Sequence, residues 1–397
     1  MGQVIDLSGF DKSSKQDWEA TVRQELNIQH PIENLRWSHD PSIDIDPIYF
    51  SSDVDSLNEL NSPVQENPEV VNFAKVEIGK PSETLTFCEK ISPFCDAFIL
   101  DFSKIQKIHD SEIIKLILSG KPIVHFTGLC YQTINDLLPI IKNIKVSGSL
   151  RIDPIGTSDN IDDEMIYNLI DQSELSNFSL MTIRGDELIR SGASIVQEIG
   201  TVFSIMVDNI NRLTDKGCHV NTLLSKTEVA TVTGQDFFHE VAKIRSYRIL
   251  AGAIGMEFGK DSHYMRINTT TSLQNASDSD EENNIIRNTI ASMAAITGGV
   301  DTINVKPHLS INPTLDSHRT ALNIPNLLKE ESYFNKVRNP SEGSYYLERL
   351  TQMMSAAAWK FFQEIESQGG FIQARNSQWL EKQFDSHKKW LKRVNEK

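Results

Sequence analysis

Along the middle of the chain, short apolar or alternating stretches are each followed by a segment whose apolar positions recur at helical spacing. The clearest unit runs from Tyr264 to Val305. Tyr264 to Thr269 alternates over the length of a strand, and SDSDEENN is a polar loop. Ile285, Ile286, Ile290, Met293, Ala294 and Ile296 then mark one face of a helix. The loop acids come just before that helix, where negative charge meets the positive end of its dipole. Gly298-Gly299 ends the helix, and Val300 to Val305 reads as the next strand. Strand, crossover helix and parallel strand make a right-handed βαβ unit.

The same rhythm begins at residue 72. Candidate strands are NFAKVE (from Asn72), AFILDF (Ala97), PIVHFT (Pro122), SLRIDP (Ser149), LMTIR (Leu180), EVATVT (Glu228), YMRINT (Tyr264) and DTINV (Asp301). Eight such units predict an α/β fold, a (β/α)8 TIM barrel that closes near residue 330. The competitor is a doubly wound sheet, but no GxGxxG follows any of the strands. The expected division is an N-terminal extended arm with a short helix over residues 1–55, the barrel over 56–345, and C-terminal helices over 346–397. Trp18 and Trp37 of the arm are large apolar side chains on a segment with no core of its own. They either pack back on the barrel or hook another chain.

Composition narrows the partners. A net charge of −15, from 54 acids against 39 bases, argues against a nucleic-acid partner, which would need a concentrated basic face. No run approaches 18 apolar residues, and the first residues, MGQVIDLSGFDKSSKQDW, lack a secretory apolar core, so no membrane partner and a cytoplasmic location are expected. Cys88, Cys95, Cys130 and Cys218 form no CxxC pair and read as reduced core thiols. His219 and His239 have no spaced partner, so no metal site is expected.

The strand C-termini gather Asp101, His125, Arg151, Asp153, Arg184, Asp186, Arg266, Asn268 and Lys306, and in a TIM barrel that end carries the site. The interleaving of acids and bases predicts an ion-pair network more than a working pocket. No Lys/Arg cluster for a polyphosphorylated ligand stands out in a predicted loop. Tyr345 and Tyr346 are read as packing between the barrel floor and the tail helices. In AFILDF and PIVHFT either choice of inward parity puts bulky side chains on the axis, which predicts an occluded bore.

Five stretches together resemble methylmalonyl-CoA mutases. Asn283-Asn284-Ile285-Ile286-Arg287-Asn288-Thr289-Ile290 is similar to that family's NN-[IVM]-[VL]-R-x-T motif. Asn339-Pro340-Ser341-Glu342-Gly343-Ser344-Tyr345-Tyr346-Leu347-Glu348 resembles its DPxGGSYYxE, and Asp236 to Arg245 its DFFxEVAKxR. Ser191-Gly192-Ala193 with Gln197-Glu198 is similar to its AGA…xE segment. Leu35-Arg36-Trp37 with Ile43 to Tyr49 resembles its LxW…GIxxxPLY arm. The resemblance implies a barrel that rearranges a branched acyl-CoA to succinyl-CoA by radical chemistry on adenosylcobalamin held in a separate domain.

The departures point to a chain without that machinery. The cobalamin signature D-x-H-x-x-G is incomplete: after Asp261-Ser262-His263, Asp316-Ser317-His318 and Asp385-Ser386-His387, the glycine position holds Arg266, Ala321 and Trp390. The family's catalytic Tyr-His pair aligns with Asp186 and Glu187. A carboxylate is an acceptor where a thioester carbonyl needs a donor. QTSGW is replaced by Thr270-Thr271-Ser272-Leu273-Gln274, and T-I-R-Q-Y has no match near residues 56–71.

The resemblance therefore implies a small, catalytically silent subunit, with no catalytic residue and no cofactor of its own. Its expected partner is the catalytic large subunit that carries adenosylcobalamin, with a homodimer as the form of the isolated chain. Two alternatives stay open. One is an active barrel that uses a cobalamin domain on a separate chain. The other is an unrelated barrel enzyme working at His125, Arg151, Asp153 and Arg184.

Overall fold

The structure, a computed structural model, describes residues 14–54, 69–155, 162–170, 172, 175–260, 263–272, 280–309 and 311–395. An antiparallel hairpin of β1 (Trp37–Asp40) and β2 (Ile43–Ile45) lies in the arm. Its turn is fixed by Asp40, whose side chain accepts the Ser42 N–H at 2.8 Å, a local Asx-type bond that favours reversal. Ile43 and Ile45 are buried, so the arm does join the core. The expected boundary between residues 55 and 56 lies outside the described residues.

Eight parallel strands close the barrel: β3 (Val71–Glu77), β4 (Ala97–Asp101), β5 (Ile123–Thr127), β6 (Ser147–Ile152), β7 (Phe178–Arg184), β8 (Thr227–Thr233), β9 (Arg266–Thr271) and β10 (Thr302–Asn304). Each pairs with its sequence neighbour, and β10 returns to pair with β3. All eight strands read from the sequence are barrel strands, with starts displaced by two residues at most. The reading holds because each strand is buried on both faces and so stands out as a short apolar run between turns. Gly299, at φ 86, caps the Asn283–Gly298 helix as expected of a left-handed C-cap.

Pleating splits each strand between two cores. Phe98, Leu100, Val124 and Phe126 belong to the large core between the barrel and its helices. Phe73, Ala97 and Ile99 form a separate buried cluster inside the barrel, with Val71 and Ile123 against it. The Ile195–Asp215, Phe237–Glu257 and Tyr345–Ser367 helices pack on one another outside the strands. The last of these buries Leu350, Met354, Phe361 and Ile365. The final helix, Trp379–Asn395, ends in Lys392 and Arg393, as its dipole favours. Cys88, Cys95 and Cys218 are buried; burial pushes the Cys88 thiol up to about 12 and Cys95 up to about 11. Among the described residues, no helix is long and apolar enough to cross a membrane.

Candidate functional site

The bore is only half occluded, which corrects the expectation from side-chain bulk. Its lower part is filled by the Phe73, Ala97 and Ile99 cluster and by His125, whose ring lies on Phe73 at 4.3 Å between centroids. Above this plug, a cavity opens at the carboxyl ends of the strands and continues past Phe87, His318 and Leu322 of the outer helices, about 1100 Å³ in all. The strand parity that faces inward carries Ile99 and Ile123 low in the bore. Higher up it brings smaller or polar groups, among them Ala230, Asn268 and Asn304 on the cavity wall. Bulk counted over two strands could not reveal that change of character along the axis.

Arg151 marks the level where plug becomes cavity. It has a left-handed backbone, φ 45, at an irregularity between β6 and β7. A non-glycine residue held there inside a strand is the signature of a bulge that re-aims a side chain. Its N–H donates to Ser149 Oγ at 3.1 Å, and its guanidinium lies 2.6 Å from His125 Nδ1 and 4.0 Å from Glu228 Oε1. Thr182 donates to Glu228 at 2.8 Å and sits 3.2 Å from the Ser149 hydroxyl. These groups interact across four strands, with Arg151 Nε left without a hydrogen-bond partner. Burial brings Arg151 down to about 10 against the opposing charge of Glu228, so it stays a cation at neutral pH.

The expected ion-pair network is present at the mouth. Arg184, which ends β7, donates to both oxygens of Asp186, at 2.7 and 2.8 Å, and to Glu187 at 3.1 Å. Arg190 reaches Asp186 at 3.0 Å and also pairs with Glu187. Burial would raise the Asp186 carboxyl, but the hydrogen bonds and charge of Arg184, then Arg190, hold it below the ordinary carboxylate range. Asp153 is buried and accepts the Arg184 backbone N–H at 3.1 Å. Lys75 pairs with Asp101 at 2.7 Å. At Asp186 and Glu187 the mouth thus presents carboxylates already committed to arginines.

Two sequence-named residues, His125 and Arg266, are not at the mouth. His125 is the third residue of β5 and fully buried in the bore. Arg266 opens β9 at the opposite, amino end of the barrel and is exposed. Asn268 sits mid-strand, where it accepts from Thr302 at 2.7 Å and donates to Val229 O at 3.3 Å. Conversely, the cavity wall carries seven Lys/Arg side chains, six of them paired with carboxylates, a grouping that no single loop of the sequence displays. Strands from all around the barrel contribute to it, so closure alone assembles it.

Burial is the largest influence on His125 and, with the charges of Arg151 and Arg266, drives its pKa well below the ordinary 6.5. The folded ring stays neutral while an unfolded histidine would gain a proton, so acidification through the ordinary histidine range removes stability. An NMR titration of the imidazole should show no midpoint near neutrality. A midpoint at about 6.5, the unperturbed histidine value, would contradict the burial argument.

The five family-like motifs prove to be mostly one structural unit. Arg245 of the Asp236–Arg245 stretch makes a two-pronged bond to Glu348, 2.8 Å to each oxygen, and reaches Ser341 at 3.1 Å. Glu198 from the Gln197-Glu198 segment faces Lys243 at 3.7 Å. In the arm, Trp37 packs edge-on to His239 at 5.3 Å, and Tyr49 meets Tyr346 at 5.8 Å. Asn284 and Asn288 donate to the carbonyls of His308 and Lys306, at 3.0 and 2.8 Å, and clamp the loop after β10. Tyr346 packs as expected, although against the arm and Phe238; Tyr345 is exposed, which corrects its reading as a packing residue.

The histidines of the three Asp-Ser-His stretches are packed against other side chains or buried. His318 lies inside the Leu315–Glu330 helix with its ring edge-on to Phe87 at 5.1 Å. His387 lies inside the Trp379–Asn395 helix, stacked on Trp390 at 6.0 Å. His263 is buried, and burial holds it down to about 4. Asp261, Ser262, Leu273 and Gln274 lie outside the described residues.

A family model described as methylmalonyl-CoA mutase matches residues 132–396. The methylmalonyl-CoA mutase small subunit of Porphyromonas gingivalis is 26% identical, over 95% of this chain and 66% of that protein. The methylmalonyl-CoA mutase of Rhizobium meliloti is 23% identical, over 91% of this chain and 59% of its own length. The 2-hydroxyisobutanoyl-CoA mutase large subunit of Aquincola tertiaricarbonis is 27% identical, over 53% of this chain and 38% of that protein. The chain thus spans two-thirds or less of the length of these relatives. With the family model covering about two-thirds of its residues, and with five motifs joined in one barrel, this chain belongs to the methylmalonyl-CoA mutase family.

Proposed function

We propose that this chain is the small, catalytically silent subunit of a heterodimeric, adenosylcobalamin-dependent methylmalonyl-CoA mutase, in which the partner chain converts methylmalonyl-CoA to succinyl-CoA. The observation that carries the proposal is the state of Asp186. A radical mutase needs a neutral donor toward the thioester carbonyl, and here stands an ionised acceptor bonded to Arg184 and Arg190. The small-subunit name of the Porphyromonas gingivalis relative supports the same reading. On this reading the chain contributes surface, and burial of that surface stabilises the partner.

The test is co-expression with the catalytic homologue from the same genome. A one-to-one complex should co-purify, with turnover that requires the partner. The isolated chain, given adenosylcobalamin and methylmalonyl-CoA, should give no succinyl-CoA. Failure to associate, or turnover by this chain, would end the proposal.

A second reading has one observation in its favour: the open cavity above His125, with Lys/Arg side chains on its wall. That cavity suits an anionic acyl thioester, as an active barrel served by a cobalamin domain on another chain would require. Adding a stand-alone cobalamin-binding chain to the same assay separates the two, since turnover then would favour the active barrel.

A further inference from the structure

On the outside of the barrel, where the Phe237–Glu257 helix begins, side chains from two distant segments converge. His39 comes from β1 of the arm; Asp236 and His239 come from the start of the helix. Asp236 Oδ2 lies 3.3 Å from His39 Nδ1, and its Oδ1 lies 2.9 Å from His239 Nδ1. The two imidazoles overlap at 4.3 Å between centroids, tilted by 36°. One donor atom from each of the three residues falls within 4.8 Å of the other two.

Two further observations make this more than proximity. His239 is only 1% exposed; its Nδ1 faces the Asp236 carboxylate, but its Nε2 has no hydrogen-bond partner. A buried polar group left so costs about 1–3 kcal/mol. Asp236 stands at the N-cap, but its side chain makes no capping bond and turns to the imidazoles instead. The neighbouring carboxylate, Glu240, is already held by Lys243 at 2.6 Å and by the Gly234 N–H at 2.8 Å.

We propose that His39, Asp236 and His239 form a binding site for a divalent transition ion such as zinc, which ties the arm to the barrel wall. The sequence shows no spaced partner for His239; the fold brings one, His39, from 200 residues earlier in the arm. Two imidazoles and a carboxylate are a donor set suited to zinc, cobalt, nickel or copper. Tetrahedral bonds of about 2.0–2.2 Å place donors about 3.3–3.5 Å apart, and the three donors, now within 4.8 Å of one another, would draw together on an ion. His39 and Asp236 keep 39% and 34% of their side-chain surface exposed, which provides an entry path and room for water as the remaining ligand. None of the three residues lines the mouth cavity. Trp37, 43% exposed and edge-on to His239, is a built-in reporter.

The experiment uses the full chain without a histidine tag, stripped with chelator and titrated with Co²⁺, then Zn²⁺. One equivalent of Co²⁺ should bind, with visible absorption from a low-symmetry site that Zn²⁺ abolishes. Co²⁺ should also quench part of the tryptophan emission, a part missing in Trp37→Phe, and Zn²⁺ should raise Tm. His39→Ala and Asp236→Asn, both at half-exposed positions, should each weaken Co²⁺ binding at least about tenfold, the size of one lost ligand contact. His239→Ala should do the same if it folds. No stoichiometric binding, or binding that His39→Ala and Asp236→Asn leave unchanged, would overturn the proposal.

Discussion

Lys243→Met should destabilise the protein by about 3–5 kcal/mol at pH 8, the usual penalty for stripping the cation from a buried ion pair. Lys243 is 1% exposed and lies 2.6 Å from Glu240 and 3.7 Å from Glu198, while its ammonium donates to the Val232 carbonyl. Glu198 is fully buried and also accepts from the Thr231 hydroxyl. Burial pushes the Glu198 carboxyl up to about 7, and the Lys243 charge is the main force against it. A folded-state value above the ordinary 4.5 means that the folded protein holds this proton more tightly than the unfolded chain. The stability it contributes is complete below the ordinary carboxylate range and drains away as pH climbs through about 7. Without the lysine that drain deepens, so Lys243→Met should cost more at pH 8 than at pH 5. Glu198→Gln should flatten the pH dependence over the same range. Urea unfolding at the two pH values measures both effects; a loss under about 1 kcal/mol, the scale of an exposed pair, would mean that the triad is solvated.

Gly148→Ala should cost still more, about 4–5 kcal/mol or greater, at the extreme of single substitutions. Gly148 has φ 150, and a Cβ built on it would stand 1.8 Å from the Val124 carbonyl oxygen and 2.7 Å from its carbon. Both obstacles are backbone, in the strand to which Gly148 is paired, so no rotamer change relieves them. β5 and β6 would have to separate, and the contact between His125 and Arg151 on those strands would go with them. Urea unfolding and loss of the His125 NMR environment would report the break. An alanine variant of near-native stability would show that the two strands adapt.

These two sites differ in how far the sequence announces them. Gly148 sits in an undistinguished SGS, and only the pairing of two strands reveals why no other residue fits there. Lys243 lies in a family-like stretch, EVAKIR, whose spacing showed a resemblance but no role. Glu198, its counterpart, is 45 residues earlier, and Glu348, the counterpart of Arg245, is 103 residues later. Long-range pairs of this kind leave no local periodicity, because each partner is an ordinary charged residue on its own helix. The resemblance located the segments, and packing then supplied the reason for their residue types.

The barrel itself was local information. Eight apolar strands, each followed by a helical period and stopped by turn residues, settle the fold because every unit carries its own signal. Which parity faced inward was not decided locally, since a strand buried on both faces shows no alternation to read. Ile99 and His125 inside, with Phe98 and Phe126 outside, were therefore fixed only when the strands closed on their helices. The open upper bore and the Lys/Arg-lined mouth followed from that closure, as did the meeting of His39 with His239. Charge and ligand donors converge across the whole chain at distances of a few ångström, and one-dimensional spacing holds no record of such distances.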